Sequence, residues 1–362
     1  MAPSNSSWTC VPLADAMRVQ KLDSHTYRLN LDDNYCIGAA SSRLILGNIV
    51  PNGGYVASCM LAAANAHLAS RDQSDTLTAH FEYPAKASPG PAIVTVEDVK
   101  LGRFQLSTLH LTLWQGGLQS QKPWITPSLS KRITLAYTTH ADLRTFDGLS
   151  MPTGYEASPA AAMPEPLPDF RVLQVSTADG AWQESELPPN SGPLHSLRNW
   201  RFYLPRAEPP TAGVLDMWIR AASGERIKQN ALPYVVDSFP FNMHAYLAAP
   251  ELRELFFTPP PRAKKSSGSA DRDEEGQVSA RASLWLPTVV MNLEVKTVLP
   301  EEGVQWLAVR VTSKQIKDGR FDLEVLVRNV EGEIVALSQH VALILSLERN
   351  LTKKNPSSKP SL

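Results

Sequence analysis

The chain has 362 residues, 43% of them hydrophobic, and a formal net charge of -1. That length allows two ordinary domains or one large one, and that apolar content supports a buried core and excludes global disorder. The near-neutral charge balance excludes both a strong basic field for nucleic acid and an acidic block for a polycation.

In chain order, residues 1–23 read as a leader without clear periodicity, and no basic region leads into an apolar run of the secretory kind. His25 to Leu31 alternates as a strand, and Asp32-Asp33-Asn34 turns into a second short one, Tyr35 to Ala39. Ile49-Val50-Pro51-Asn52-Gly53-Gly54 reads as a tight turn. Its glycines let the backbone approach another group, and free amides face that space from the start of the next helix. That helix, Tyr55 to Leu68, precedes four strands: Leu77 to Tyr83, Ala92 to Lys100, Gln105 to Gln115 and Arg132 to His140. Over residues 146–192 prolines fall among Ala, Ser and Glu with no period, marking an inter-domain linker in which Phe170 to Ser176 is a candidate edge strand.

The second half repeats the first. Asn199 to Leu204 and Val214 to Ala222 are strands, and Leu232 to Leu247 has the apolar spacing of a buried helix. A polar, Pro- and Ser-rich excursion over about 257–282 reads as disordered. Strands resume over Leu284 to Val298, Trp306 to Lys314, Phe321 to Asn329 and Ile334 to Leu345, and residues 348–362 form a polar tail. Tyr55 and Tyr234 lie 179 positions apart, whereas Gly102 and Gly319 lie 217 apart. An insertion the size of the polar excursion reconciles the two offsets, so the chain reads as one internal duplication. The tail ends Lys359-Pro360-Ser361-Leu362, unlike the Ser-Lys-Leu peroxisomal address.

Asp237 stands in the middle of the second helix, and the repeat places Ser58 opposite it in the first. A carboxylate among apolar residues is costly unless paired, hydrogen-bonded or used. Pro240 shortly afterwards leaves a plainer alternative: a helix kinked or beginning near Asp237, with the carboxylate as an N-cap. Cys10, Cys36 and Cys59 include no close pair and leave one over in any pairing, which fits a reducing compartment with Cys36 and Cys59 as small buried residues.

These residues carry a resemblance. Pro51-Asn52-Gly53-Gly54-Tyr55-Val56-Ala57 and AHFEYPAKASPGPAIVTVEDVKLGR in the first half, with LDMWIRA, WLPTVVMNLEVKTVLP and EGEIVALSQHVALIL in the second, are similar to one family. It is the thioesterase-like, acyl-CoA thioesterase II type of double-hotdog protein, and the likeness covers most of residues 24 to 347. The long linker and insertion look most like filamentous-fungal members, which often accompany polyketide or fatty-acid-derived pathways and secondary metabolite biosynthesis. The implied fold is α+β: two long helices, each wrapped by an antiparallel sheet, in hotdogs over 24–145 and 193–347. The implied function is hydrolysis of acyl-CoA or of a carrier-bound acyl or polyketide chain. Alternatives are a hotdog hydratase, dehydratase or acyltransferase, and a non-catalytic acyl-binding protein.

The resemblance also implies a site. Asp237 matches the family's helix carboxylate and Thr288 its strand hydroxyl. Where the family carries Gln on the last strand, this chain has His340, with Gln339 one residue early. A one-residue step flips a strand side chain, so without a bulge only one faces the site, and His340 is favoured. Asn292 shares the Thr288 face by period two. Gly53, Gly54 and Tyr55 at the first helix complete the substrate side, the glycine amides as oxyanion donors for the other half. No cofactor or metal is expected. The histidines lack paired ligand spacing, no Gly-x-Ser-x-Gly elbow or phosphate-cradling loop occurs, and eight tryptophans without a basic stripe read as core and groove lining. The expected partner is the thioester substrate, with a homodimer of the double unit compatible and no nucleic acid. No apolar stretch approaches the roughly 18 residues of a membrane span, so the expected location is cytoplasmic.

Overall fold

The computed structural model describes residues 11–37, 49–103, 106–155, 158–187, 195–207, 211–241, 243–249 and 284–346. Helix α1 (Leu13–Ala16) and strands β1 (Gln20–Asp23), β2 (Thr26–Leu31), β3 (Cys36–Ile37) and β4 (Val50–Pro51) lead into α2 (Gly53–Leu68). Strands β5 (Asp75–Glu82), β6 (Gly90–Lys100), β7 (Ser107–Gln115) and β8 (Lys131–Ala141) complete the first half. Between the halves lie α3 (Phe170–Val175) and β9 (Trp182–Glu184). The second half opens with α4 (His195–Arg198), β10 (Trp200–Pro205), β11 (Val214–Ala221), α5 (Leu232–Val236) and α6 (Met243–Leu247). It closes with β12 (Leu284–Trp285), β13 (Thr288–Val295), β14 (Leu307–Thr312), β15 (Ile316–Lys317), β16 (Arg320–Arg328), β17 (Ile334–Leu343) and β18 (Leu345–Ser346).

A fourteen-stranded sheet follows the order β1-β2-β6-β7-β8-β5-β13-β17-β16-β14-β11-β10-β9, with β15 on β16. The order reads the same from either side of the β5–β13 seam, as a duplication requires, apart from the added β9. At the seam Asn292 pairs with His80, and the register runs from Val290↔Glu82 to Glu294↔Thr78. The fold is an α+β double hotdog. In β7, Leu109, Leu111 and Leu113 are wholly buried against α2 while Thr108, His110 and Thr112 are less so, the period-two split of a sheet with one face on the core. Helix α2 is enclosed on nearly every side, which its run of small and apolar residues permits. Cys36 and Cys59 are buried, and burial pushes both thiols up to about 12.

Four expectations change. The stretch expected to be a leader carries α1 and β1, and Tyr55 in α2 donates a hydrogen bond to Ala16 at 2.8 Å. Phe170–Val175 is a helix, capped by Asp169 on the amides of Arg171 and Val172; the edge strand of this region is β9 instead, paired to β10. Part of the interval 146–192 is also packed, among its described residues. Leu173 of α3 and Trp182 are buried with Tyr203, Trp218, Trp306 and Ala308 in a cluster separate from the main core that holds α2 and α5. Finally, Leu232–Leu247 is two short helices rather than one. Pro240 supplies no amide to continue the ladder, so α5 stops with Asp237 as its C-cap, not an N-cap. The expected excursion over 257–282 and the tail 348–362 lie outside the described residues.

Candidate active site

Helices α2 and α5 meet at the seam, and the absence of a side chain at Gly54 sets how closely. A Cβ there would fall 2.2 Å from the Pro233 carbonyl oxygen and 2.6 Å from Asp237 Cβ. With α5 ended, the Asp237 carboxylate crosses from the second half to the first turn of α2. Gly54 N–H donates to its Oδ2 at 2.7 Å, and Asn52 Nδ2 donates to the Asp237 backbone oxygen at 3.0 Å. Asn52 is also the N-cap of α2, accepting from Tyr55 N–H at 2.9 Å. The negative charge thus sits at the positive end of a 16-residue helix.

The other oxygen faces the second half. Thr288 Oγ1 donates to Asp237 Oδ1 at 2.9 Å, and His340 Nδ1 lies 3.5 Å from the same atom with its side chain wholly enclosed. The proton on the imidazole follows from its far side. Ser338 Oγ donates to the Asn292 carbonyl, so it can only accept from His340 Nε2–H, 2.9 Å away. His340 Nδ1 is buried, makes no hydrogen bond among the described residues, and faces Asp237 Oδ1 across 3.5 Å. Tyr83 donates its hydroxyl to the Gly53 carbonyl at 3.0 Å, and burial, with the Asp237 charge added, holds its phenol well above the usual range.

Asp237, Thr288, Gly53 and Tyr83 line a cavity of about 380 Å³ whose other walls include Phe239, Phe241, Phe321 and Leu323. His340 stands behind Asp237 and does not line it. Of the residues expected at the site, the structure brings together Asp237, Thr288, His340, Gly53 and Gly54. It separates three others. Gln339 is exposed on the opposite face of β17. Asn292 is exposed too and bonds His80 Nδ1 at 2.7 Å, because a bulge between Thr288 and Val290 breaks the two-residue period that would have put it beside Thr288. Tyr55 is wholly buried, stacked on Tyr35 with centroids 4.5 Å apart, and does not reach the cavity. Tyr83 and Asn52 were not expected; Asn52, at the Ser/Thr/Asp/Asn position just before a helix, carried a readable signal.

The first half has the same frame without the acid. β5 carries a matching bulge between Thr76 and Thr78, and the Asp237 position holds Ser58, whose Oγ accepts from Tyr234 N–H at 3.2 Å. A hydroxyl stands where the second half has a carboxylate.

Family models describe both halves: the acyl-CoA thioesterase N-terminal domain matches residues 45–139 and the acyl-CoA thioesterase C-terminal domain residues 168–344. A thioesterase-like protein of Talaromyces wortmannii, TwmA, is 60% identical over 100% of both chains. A hot dog fold protein of unknown function from Alicyclobacillus acidocaldarius superposes with a TM-score of 0.60 at 16% identity, over 92% of this chain and 98% of that one. The acyl-CoA thioesterase II TesB2 of Mycobacterium marinum gives 0.54 at 15% identity, over 92% and 98%. The chain belongs to the acyl-CoA thioesterase family of double-hotdog proteins, a family of acyl-thioester hydrolases in general terms.

Proposed function

We propose that this chain hydrolyses an acyl thioester, of CoA or of a carrier protein, with Asp237 as general base. The observation that supports this most is the placing of one enclosed carboxylate at the wall of an apolar cavity, both oxygens fixed by donors from opposite halves. Those hydrogen bonds make it a poor direct nucleophile and a well-oriented base. A water on Asp237 loses its proton to the carboxylate as its oxygen bonds to the thioester carbon. The carbonyl electrons move onto oxygen, where the Gly53 amide at the helix start is the donor we assign. Collapse breaks the C–S bond, and the departing thiolate takes the proton back from Asp237, leaving acid and thiol. Thr288 holds the carboxylate in place through its hydrogen bond to Oδ1, and His340 packs behind it.

Asp237→Asn keeps the volume and removes the base. Its release of thiol from the best acyl-CoA of a panel is expected to fall by at least a hundredfold, with the folded state retained by circular dichroism; wild-type turnover in that variant ends the assignment. A second reading comes from the Asp237–His340 pair, since an acid and a base 3.5 Å apart would also suit addition or removal of water at a double bond. It is weaker because His340 does not line the cavity. Substrate consumed without thiol release would favour it.

A further inference from the structure

The inner row of β6 runs Ala92, Val94, Val96, Asp98: three buried apolar side chains facing α2 and then a carboxylate. Helix α2 ends above it, with His67 in its last turn, and the β1–β2 turn brings in His25. Both imidazoles approach Asp98 by the same atom: His67 Nε2 lies 2.8 Å from Oδ1 and His25 Nε2 lies 3.1 Å from Oδ2. All three donor atoms fall within 4.8 Å of one another. The far nitrogens are both occupied, His25 Nδ1 by Ser24 Oγ at 2.8 Å and His67 Nδ1 by Tyr27 OH at 3.4 Å. Oriented imidazoles of this kind are what metal-ligating histidines show.

We propose that His25, His67 and Asp98 form a binding site for a borderline divalent cation of the zinc type. Two imidazoles and one carboxylate are a donor set that zinc accepts, with bonds of about 2.0–2.2 Å. A tetrahedral ion with such bonds needs donors roughly 3.3 Å apart; each imidazole nitrogen already lies 2.8 or 3.1 Å from its own oxygen of Asp98, and the two nitrogens, within 4.8 Å of one another, close on the ion by rotation of their side chains. Binding displaces the Nε2 protons, and the fourth position opens on the side of His25, whose ring is 48% exposed. Sequence spacing conceals the set, because the three residues come from a turn, a helix end and a strand. The ion would clip these elements together at the end of α2 away from Asp237, about 20 Å along a helix rising about 1.5 Å per residue. It therefore stabilises the first hotdog and takes no part in thioester chemistry.

The test uses the full chain freed of metal by chelation and titrated with zinc chloride by calorimetry, with thermal melts at each zinc level. One ion per chain is expected, with a melting midpoint that rises with zinc as ligand linkage requires. His25→Ala, at the exposed position, and Asp98→Asn are expected to weaken binding at least tenfold and to lose the midpoint rise. X-ray absorption of the loaded wild type should give a light-atom shell containing two imidazoles. No binding by the wild type overturns the site, and so does unchanged affinity in both variants, which would put the ion on other accessible histidines such as His80, His110 or His195.

Discussion

Asp237 is held by the Thr288 hydroxyl and the Gly54 amide, and each contact can be perturbed alone. Thr288→Val deletes the hydroxyl on Oδ1; a hydrogen bond to a charged group contributes about 1.5–3 kcal/mol, so turnover should fall roughly ten- to a hundredfold, with Thr288→Ser recovering most of it. Gly54→Ala drives a methyl into the Pro233 carbonyl and Asp237 Cβ. It should destabilise the fold by about 1–3 kcal/mol in denaturant titration and lower activity by displacing the carboxylate. His140 gives a pH signature. Burial pushes it down to about 4, with His67 adding to the effect. The unfolded ring, with its ordinary value near 6.5, takes up a proton that the folded ring refuses, so stability is full above about 6.5 and falls as pH drops towards 4. The loss is about 3 kcal/mol, measurable as the pH dependence of unfolding and absent in His140→Phe. Asp237 stood out in the sequence as a carboxylate in an apolar run, whereas Thr288 and His340 were named through the family resemblance, which residue pattern alone does not supply. Asn292 and Tyr55 were misplaced for a different reason. Pattern reading assumes an unbroken period, and a bulge or a side chain turned into the core leaves no mark on it.

Strand alternation and the duplication made most of the elements readable, and the misses fall where tertiary contact outweighs local preference. Phe170–Val175 has strand-like composition but gains a capping Asp169 and a groove for Leu173, and it winds as a helix. The break after α5 was anticipated as a kink at Pro240, but not on which side of it the acid would fall. The interval between the halves was taken for a linker because its prolines erase periodicity. In the fold it covers Trp218 and Trp306, and Arg310 donates to the carbonyls of Pro159 and Ala160 at 2.9 and 3.0 Å. Trp182→Ala should therefore cost about 3–5 kcal/mol, read by chemical denaturation. Turnover below the melting range should be unchanged, since this cluster is separate from the main core that holds α2 and α5.

At the scale of the molecule, the seam between β5 and β13 joins two sheets into one, and the site lies where the helices behind that seam touch. The Asp237 carboxylate, the base we propose, comes from the second half and the amide that anchors it from the first. Neither half expressed alone should release thiol, and mixing the two should restore activity only as far as they reassociate. The Ser58 position has a further consequence. A symmetric pair of identical hotdogs would offer two equivalent centres, whereas the reading we propose gives this tandem one. A tight-binding thioester mimic should saturate at a single equivalent per polypeptide with a hyperbolic isotherm, and uptake of two equivalents would place a second centre in the half that carries Ser58.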